Sequence, residues 1–171
     1  MEAIPRQPLV SELSRRRKLD TLARLLPTGA KILEVGAGDG WFSAQLRTRG
    51  HHTTTIDLVA NADIIGDINN WAKLGISPGS FDAVVALEVI EHVDCWESLK
   101  AICKPGGLIM LSSPHPRWDW VMKTLEFLHL TQTRTSPHSN LTNFATLDLP
   151  ALVAQRTGIV HQVSVFLNTP R

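Results

Sequence analysis

The stretch LEVGAGDGWF at residues 33–42 places three glycines in a GxGxG spacing directly after an apolar run that ends in an acid. Without a Cβ, Gly36, Gly38 and Gly40 can adopt positive φ and let a ligand approach the main chain closely. The N–H groups opening the next helix then face whatever binds there, which is the chemistry of a nucleotide-cradling turn. The spacing separates two classes of ligand. Dinucleotide turns use GxGxxG, with the third glycine one place later, and Trp41 stands at that place. About 20 residues past the first glycine comes Asp57, where a carboxylate can accept from both hydroxyls of a ribose.

These residues need a scaffold, and the chain alternates strand and helix patterns in the manner of a parallel sheet covered on both faces. A first helix is expected over 9–26, stopped by Pro27 and Gly29, followed by a strand over 31–36 and a helix over 39–49 closed by Gly50. Strands follow at 52–57 and, shorter, at 64–68. The run FDAVVAL at 81–87, apolar but for Asp82, has the character of a central strand buried on both faces. A helix over 94–104 and the turn Pro105, Gly106, Gly107 lead to a fifth strand at 108–112. Beyond it, 116–130 has helical character, 131–143 is a polar loop, 146–157 is expected as a helix capped by Gly158, and 159–167 as a last strand.

Length and composition agree with one domain. The chain has 171 residues, 43% of them hydrophobic, enough for a single core. Its formal net charge of +1 provides no field for non-specific nucleic-acid or membrane binding. The one dense basic run, 15–18, reads as the solvated face of the first helix beside a leucine stripe. No apolar run reaches the ~18 residues of a membrane span, and residues 1–10 carry no signal-like apolar core, so the expected location is cytoplasmic. Cys95 and Cys103 form no disulfide framework.

An acid followed by GxGxG resembles motif I of the class I S-adenosylmethionine (SAM) dependent methyltransferases. The resemblance extends in order from residue 31 to about 114. It includes GDI at 66–68, LEVIEHV at 87–93, which is similar to a stretch of small-molecule enzymes acting on quinone precursors, and KPGGL at 104–108. It implies an α/β, Rossmann-like, doubly wound and mostly parallel sheet with helices on both faces. It also implies SAM as cofactor and S-adenosylhomocysteine as product. By the same resemblance Gly36, Ala37, Gly38 and Gly40 cradle the cofactor, Glu34 deals with its ammonium, and Asp57 holds the ribose. Asp67 accepts from the adenine amino group, Ile68 offers an N–H, Leu58 an apolar wall, and Leu87 or Glu88 contacts the methionine portion. Glu91 and His92 lie beside the site. The family's fold closes with an antiparallel seventh strand, for which no residues are evident, so this strand is expected to be absent or truncated.

The acceptor is harder to name. The aromatic box of amino-methylating DNA enzymes is replaced by ALEV, and no cysteine follows a proline as in cytosine C5 enzymes, so a nucleic-acid acceptor is not expected. No cluster of ligands suggests a metal. What remains is a small molecule, bound under a cap insertion at about 115–145 that is rich in aromatic and imidazole groups, including Trp118 and Trp120. Here His115, just past the fifth strand, and His138, in the polar loop, join His92 as candidates for contact with the acceptor or for a base. Two other readings stay open. One is a catalytically silent SAM-binding partner or sensor, favoured by the missing strand. The other is a NAD-dependent oxidoreductase, opposed by the glycine spacing and by the absence of any tyrosine for a Tyr–Lys pair.

Overall fold

The computed structural model describes residues 9–59, 61–115, 142–157 and 161–169. Seven strands, β1 (Lys31–Val35), β2 (His52–Asp57), β3 (Ile64–Ile65), β4 (Phe81–Leu87), β5 (Cys103–Pro114), β6 (Ala151–Thr157) and β7 (His161–Leu167), make one sheet in the order β3-β2-β1-β4-β5-β7-β6. The first five are parallel to one another, whereas β7 is antiparallel to both β5 and β6. Strand order reverses outward from β1 and β4, so the carboxyl ends of these two strands flank the crevice where ligands of open sheets bind.

Alternating side chains feed two cores. Ile32, Val85, Met110 and Val165 pack on one face with Leu19 and Leu22 of α1 (Leu9–Ala23) and Phe42 and Leu46 of α2 (Trp41–Thr48). Leu33, Val84, Ile109 and Phe166 point the other way, onto Leu99 and Ile102 of α3 (Trp96–Ile102). The period of two in a strand thus converts each apolar run into a wall for both layers.

Several expectations are corrected. The closing antiparallel strand is present as β7, within the segment expected as a last strand over 159–167, and the segment expected as a final helix over 146–157 supplies β6 beside it. Phe144–Thr146 is a single 3-10 turn and Ala151–Thr157 is β6, paired from Ala151 with Phe166 to Thr157 with His161. The ladder offered by β7 satisfies the backbone of 151–157 instead, and tertiary pairing overrides so weak a local pattern. Gly158, expected as a cap, lies outside the described residues, as do the helix expected at 116–130 and nearly all of the polar loop, 131–141. The third strand is only Ile64–Ile65; Asp67 then caps a 3-10 turn, accepting from the Asn69 N–H at 2.9 Å. The fifth strand is longer than expected and starts at Cys103, where α3 has already ended.

Candidate active site

The glycine turn has the predicted backbone. Gly36, Gly38 and Gly40 have φ of 70°, 55° and 69°, values in the left-handed region that a side chain disfavours. Gly36 donates to the Ile56 carbonyl at 2.8 Å, which ties the end of β1 to β2. An alanine Cβ at Gly36 would overlap Val89 Cγ2, whereas at Gly38 and Gly40 it would meet nothing within 4 Å. The turn is therefore closed from below by Val89 and open above, leaving room for a ligand against the main chain.

Acids brace this turn from three sides. Asp57, at the end of β2, accepts from the Gly38 N–H through Oδ2 at 3.0 Å and from Val59 through Oδ1 at 3.3 Å. Buried Glu34 accepts from the Ser43 N–H at 3.0 Å, satisfying a donor in the first turn of α2; burial pushes its carboxyl pKa up, against the pull of the Ser43 bonds. Asp39, inside the turn, pairs with Arg15 of α1, and the Arg15 hydrogen bond holds its carboxyl below the usual range. Arg15 also lies 4.8 Å from the Trp41 ring centroid, so a guanidinium clamps the turn from above α2. Beyond Asp57, Leu58 is 73% exposed and Ile65 57%, an uncovered apolar surface beside the carboxylate, while Ile68 is buried and Asp67 exposed.

A second constellation lies at the carboxyl ends of β4 and β5. Leu87 ends β4, and Glu88 after it has φ 58°, the one positive value outside glycine among the described residues. Such strain, about 1 kcal/mol or more, persists where surrounding contacts impose it. Here the Glu88 N–H donates to the Ser112 carbonyl at 2.8 Å, Oε1 accepts from Lys18 Nζ at 2.8 Å and from the Ser112 hydroxyl at 2.7 Å, and Oε2 lies 3.7 Å from His161 Nε2. Burial raises the Glu88 pKa, but the Lys18 ammonium, His161 and the hydrogen bonds together hold it below the usual carboxylate range. Its neighbour Glu91 is 1% exposed, has a carboxylate oxygen without a hydrogen-bond partner, and is pushed up to about 8 by burial and by the negative Glu88. Glu88 is thus ionised and Glu91 protonated at neutral pH.

Lys18 and His161 were not anticipated. The basic run at 15–18 was expected to face solvent; instead Lys18 is 8% exposed and Arg15 turns onto Asp39, while Arg16 and Arg17 stay outside. The available signal was the i, i+3, i+7 spacing of Arg15, Lys18 and Leu22, which puts both cations beside the buried stripe. His161 carried no such signal, because its place depends on β7 running antiparallel. Among the histidines that were singled out, buried His115 follows β5 directly, His92 is exposed in the turn after β4, and His138 lies outside the described residues. The two thiols are free and buried, which raises both to about 12 and leaves them unreactive as nucleophiles. No group of three or more His, Cys, Asp or Glu among the described residues is placed to hold a metal.

Replacing Lys18 by methionine keeps the stem of the side chain but leaves Glu88 without its cation. Because Glu88 remains 37% exposed, the expected cost is about 2 kcal/mol, below that of a fully buried pair. A urea midpoint equal to that of the parent protein would show that water replaces the ammonium.

A depression of about 550 Å³ bounded by Pro78, Lys100, Cys103, Pro105 and Asn168 lies at the opposite, amino end of β4 and β5. It shares no residue with either constellation.

Comparison with known proteins agrees with this geometry. Residues 10–148 match the family described as "Methyltransferase domain". A relative from Dechloromonas aromatica named ubiquinone biosynthesis O-methyltransferase is 35% identical over 50% of this chain and 44% of its own length, so the chain spans less than half of that protein. Among solved structures, a Pyrococcus horikoshii protein superimposes with a TM-score of 0.68 at 16% identity, covering 96% of each chain. A putative sarcosine dimethylglycine methyltransferase from Galdieria sulphuraria gives 0.68 at 12% identity over 93% of this chain and 86% of its own, a likeness of fold alone. With a glycine turn braced by strand-end acids and most of its length matched, the chain belongs to the methyltransferase-domain family and has the Rossmann-like fold of class I SAM-dependent methyltransferases.

Proposed function

We propose that this domain binds SAM and transfers its methyl group to a small-molecule acceptor, releasing S-adenosylhomocysteine. The observation that carries this reading is the turn at 36–40, open above its glycines and joined through the Gly38 N–H to the Asp57 carboxylate. In it Asp57 holds the ribose hydroxyls, Leu58 and Ile68 bound the adenine, Asp67 accepts from its amino group, and the backbone of Ala37, Leu87 and Glu88 lines the methionine portion. Glu34 acts on the ammonium side while it anchors α2. His115 and His92 border the acceptor side; the segment at about 115–145, which leaves the sheet at the carboxyl end of β5, is assigned to the acceptor together with His138. The sulfonium supplies an already activated methyl, so the chain's task is to align acceptor and donor and to exclude water.

The D. aromatica relative's name places its acceptor atom at oxygen in quinone biosynthesis, which supports a hydroxyl acceptor here. The sensor reading loses the missing strand on which it leaned, since β6 and β7 complete the sheet. A cytoplasmic location belongs to this reading and is supported by the two free thiols; no described helix is long and apolar enough to cross a membrane.

Titration calorimetry with SAM, S-adenosylhomocysteine and NAD tests the cofactor, and tighter binding of NAD would overturn the assignment. Asp57→Ala is expected to weaken SAM by at least ~1.5 kcal/mol, about tenfold. Asp57→Asn retains an acceptor for the Gly38 N–H and therefore isolates the loss of charge. An unchanged dissociation constant in both variants removes Asp57 from the ribose. Methyl turnover from labelled SAM into a metabolite extract separates enzyme from sensor.

A further inference from the structure

We propose that His161, held against the Glu88 carboxylate, is the group that accepts the proton of a hydroxyl-bearing acceptor during methyl transfer. The inference rests on the methyltransferase reading above and adds a residue and an acceptor class to it.

Topology brings His161 to the site. It opens β7, which runs antiparallel to β5, so its ladder partner is Pro114 at the carboxyl end of β5. That is the end of the sheet at which β1 and β4 deliver the glycine turn and Glu88. The side chain is 34% exposed, open enough to meet a ligand, and its Nε2 stands 3.7 Å from Glu88 Oε2. Glu88 is itself immobilised. Its Oε1 takes both Lys18 Nζ and the Ser112 hydroxyl, and its backbone is strained into φ 58° with the N–H spent on Ser112. Strain of this kind concentrates where a side chain must be aimed. Oε2 faces the imidazole Nε2 while Glu91 also hydrogen-bonds the Glu88 carboxylate, and the facing negative charge favours the tautomer carrying hydrogen on Nε2, with a lone pair on Nδ1.

Burial and the Lys18 ammonium also lower the His161 pKa, against the pull of Glu88, so that the ring is neutral and able to accept a proton near pH 7. A carboxylate that orients the ring and stabilises its protonated form is the arrangement general bases share. In the step itself the acceptor oxygen takes the methyl group, leaving the carbon–sulfur electron pair on sulfur. The hydroxyl proton passes to His161 and thence to solvent. Glu88 is a positioning residue here, and Lys18 positions Glu88.

The test uses the whole chain saturated with S-adenosylhomocysteine and 4-nitrocatechol, a diphenol whose absorbance reports its ionisation. Next to a neutral base and its carboxylate, the bound diphenol should ionise about one pH unit below the free dye. His161→Gln should abolish that shift while leaving affinity for S-adenosylhomocysteine unchanged, and should lower methyl transfer from SAM to 4-nitrocatechol about 10²-fold. In His161→Ala, added imidazole should restore part of the shift, which a merely structural role would not allow. A shift that survives in both variants overturns the proposal. So does failure of the dye to bind a protein that binds S-adenosylhomocysteine. Failure to bind S-adenosylhomocysteine is a different result and strikes the cofactor reading instead.

Discussion

Gly36→Ala is expected to lose measurable SAM binding and to destabilise the fold by about 2–4 kcal/mol. Two costs combine. The native φ of 70° charges any side chain about 1–2 kcal/mol, and the new Cβ overlaps Val89 Cγ2, forcing a stiff β-branched side chain and the loop after β4 to move. Because the Gly36 N–H also joins β1 to β2, the displaced turn no longer presents Gly38 to Asp57. The two costs separate in the double variant Gly36→Ala, Val89→Ala, which should recover the packing part and leave the backbone part. Gly38→Ala and Gly40→Ala, whose added Cβ meets nothing within 4 Å, should pay only for conformation in stability while still weakening SAM. Urea unfolding and calorimetry read both quantities; equal stability losses at all three glycines would refute the close approach of Val89.

Glu91→Gln should make the protein more stable than its parent at pH 8 but not at pH 5. A carboxyl raised from 4.5 to about 8 by folding is protonated in the native state and ionised in the unfolded chain throughout that window. The unfolded state therefore binds fewer protons, and stability falls as pH rises from about 5 to 8. At a cost of about 1.4 kcal/mol per unit, moderated because the charge of Glu88 titrates with it, the parent should lose on the order of 3 kcal/mol across the window relative to the glutamine variant. Parallel pH profiles for the two proteins would show that Glu91 is ionised in the fold. The sign is opposite for Glu88, whose pKa is lowered: its contribution is present above the ordinary carboxylate range and disappears in acid.

The same constellation shows which features were legible from residue types alone. The largely apolar β4 has the limits expected for it, because burial on both faces leaves no alternative periodicity to compete. The glycine turn was equally clear, since φ near +60° at alternate positions is a local requirement that residue type nearly dictates. Segment 151–157 was not, for its exposed, exposed, half-buried, exposed pattern at 151–154 carries neither a helical nor a strand period. It becomes a strand only because β7 is there to pair with it.

Within the site the division falls along the same line. Glu34, Asp57 and Asp67 stand at or just past strand ends and could be located by counting along the chain, together with the glycines of the turn. The cluster around Glu88 could not be found that way. Its hydrogen bonds connect residues 70 and 94 positions apart, Lys18 with Glu88 and Lys18 with Ser112, and its histidine arrives from the antiparallel β7. Short-range chemistry, the freedom of glycine and the burial of apolar runs, is written in the sequence and by itself determined the cofactor half of this protein. The groups gathered around Glu88, which we assign to the acceptor half, come from α1, β5, β7 and the end of β4, and only the tertiary structure decided that they meet, because proximity in a sheet depends on strand order and direction and not on distance along the chain.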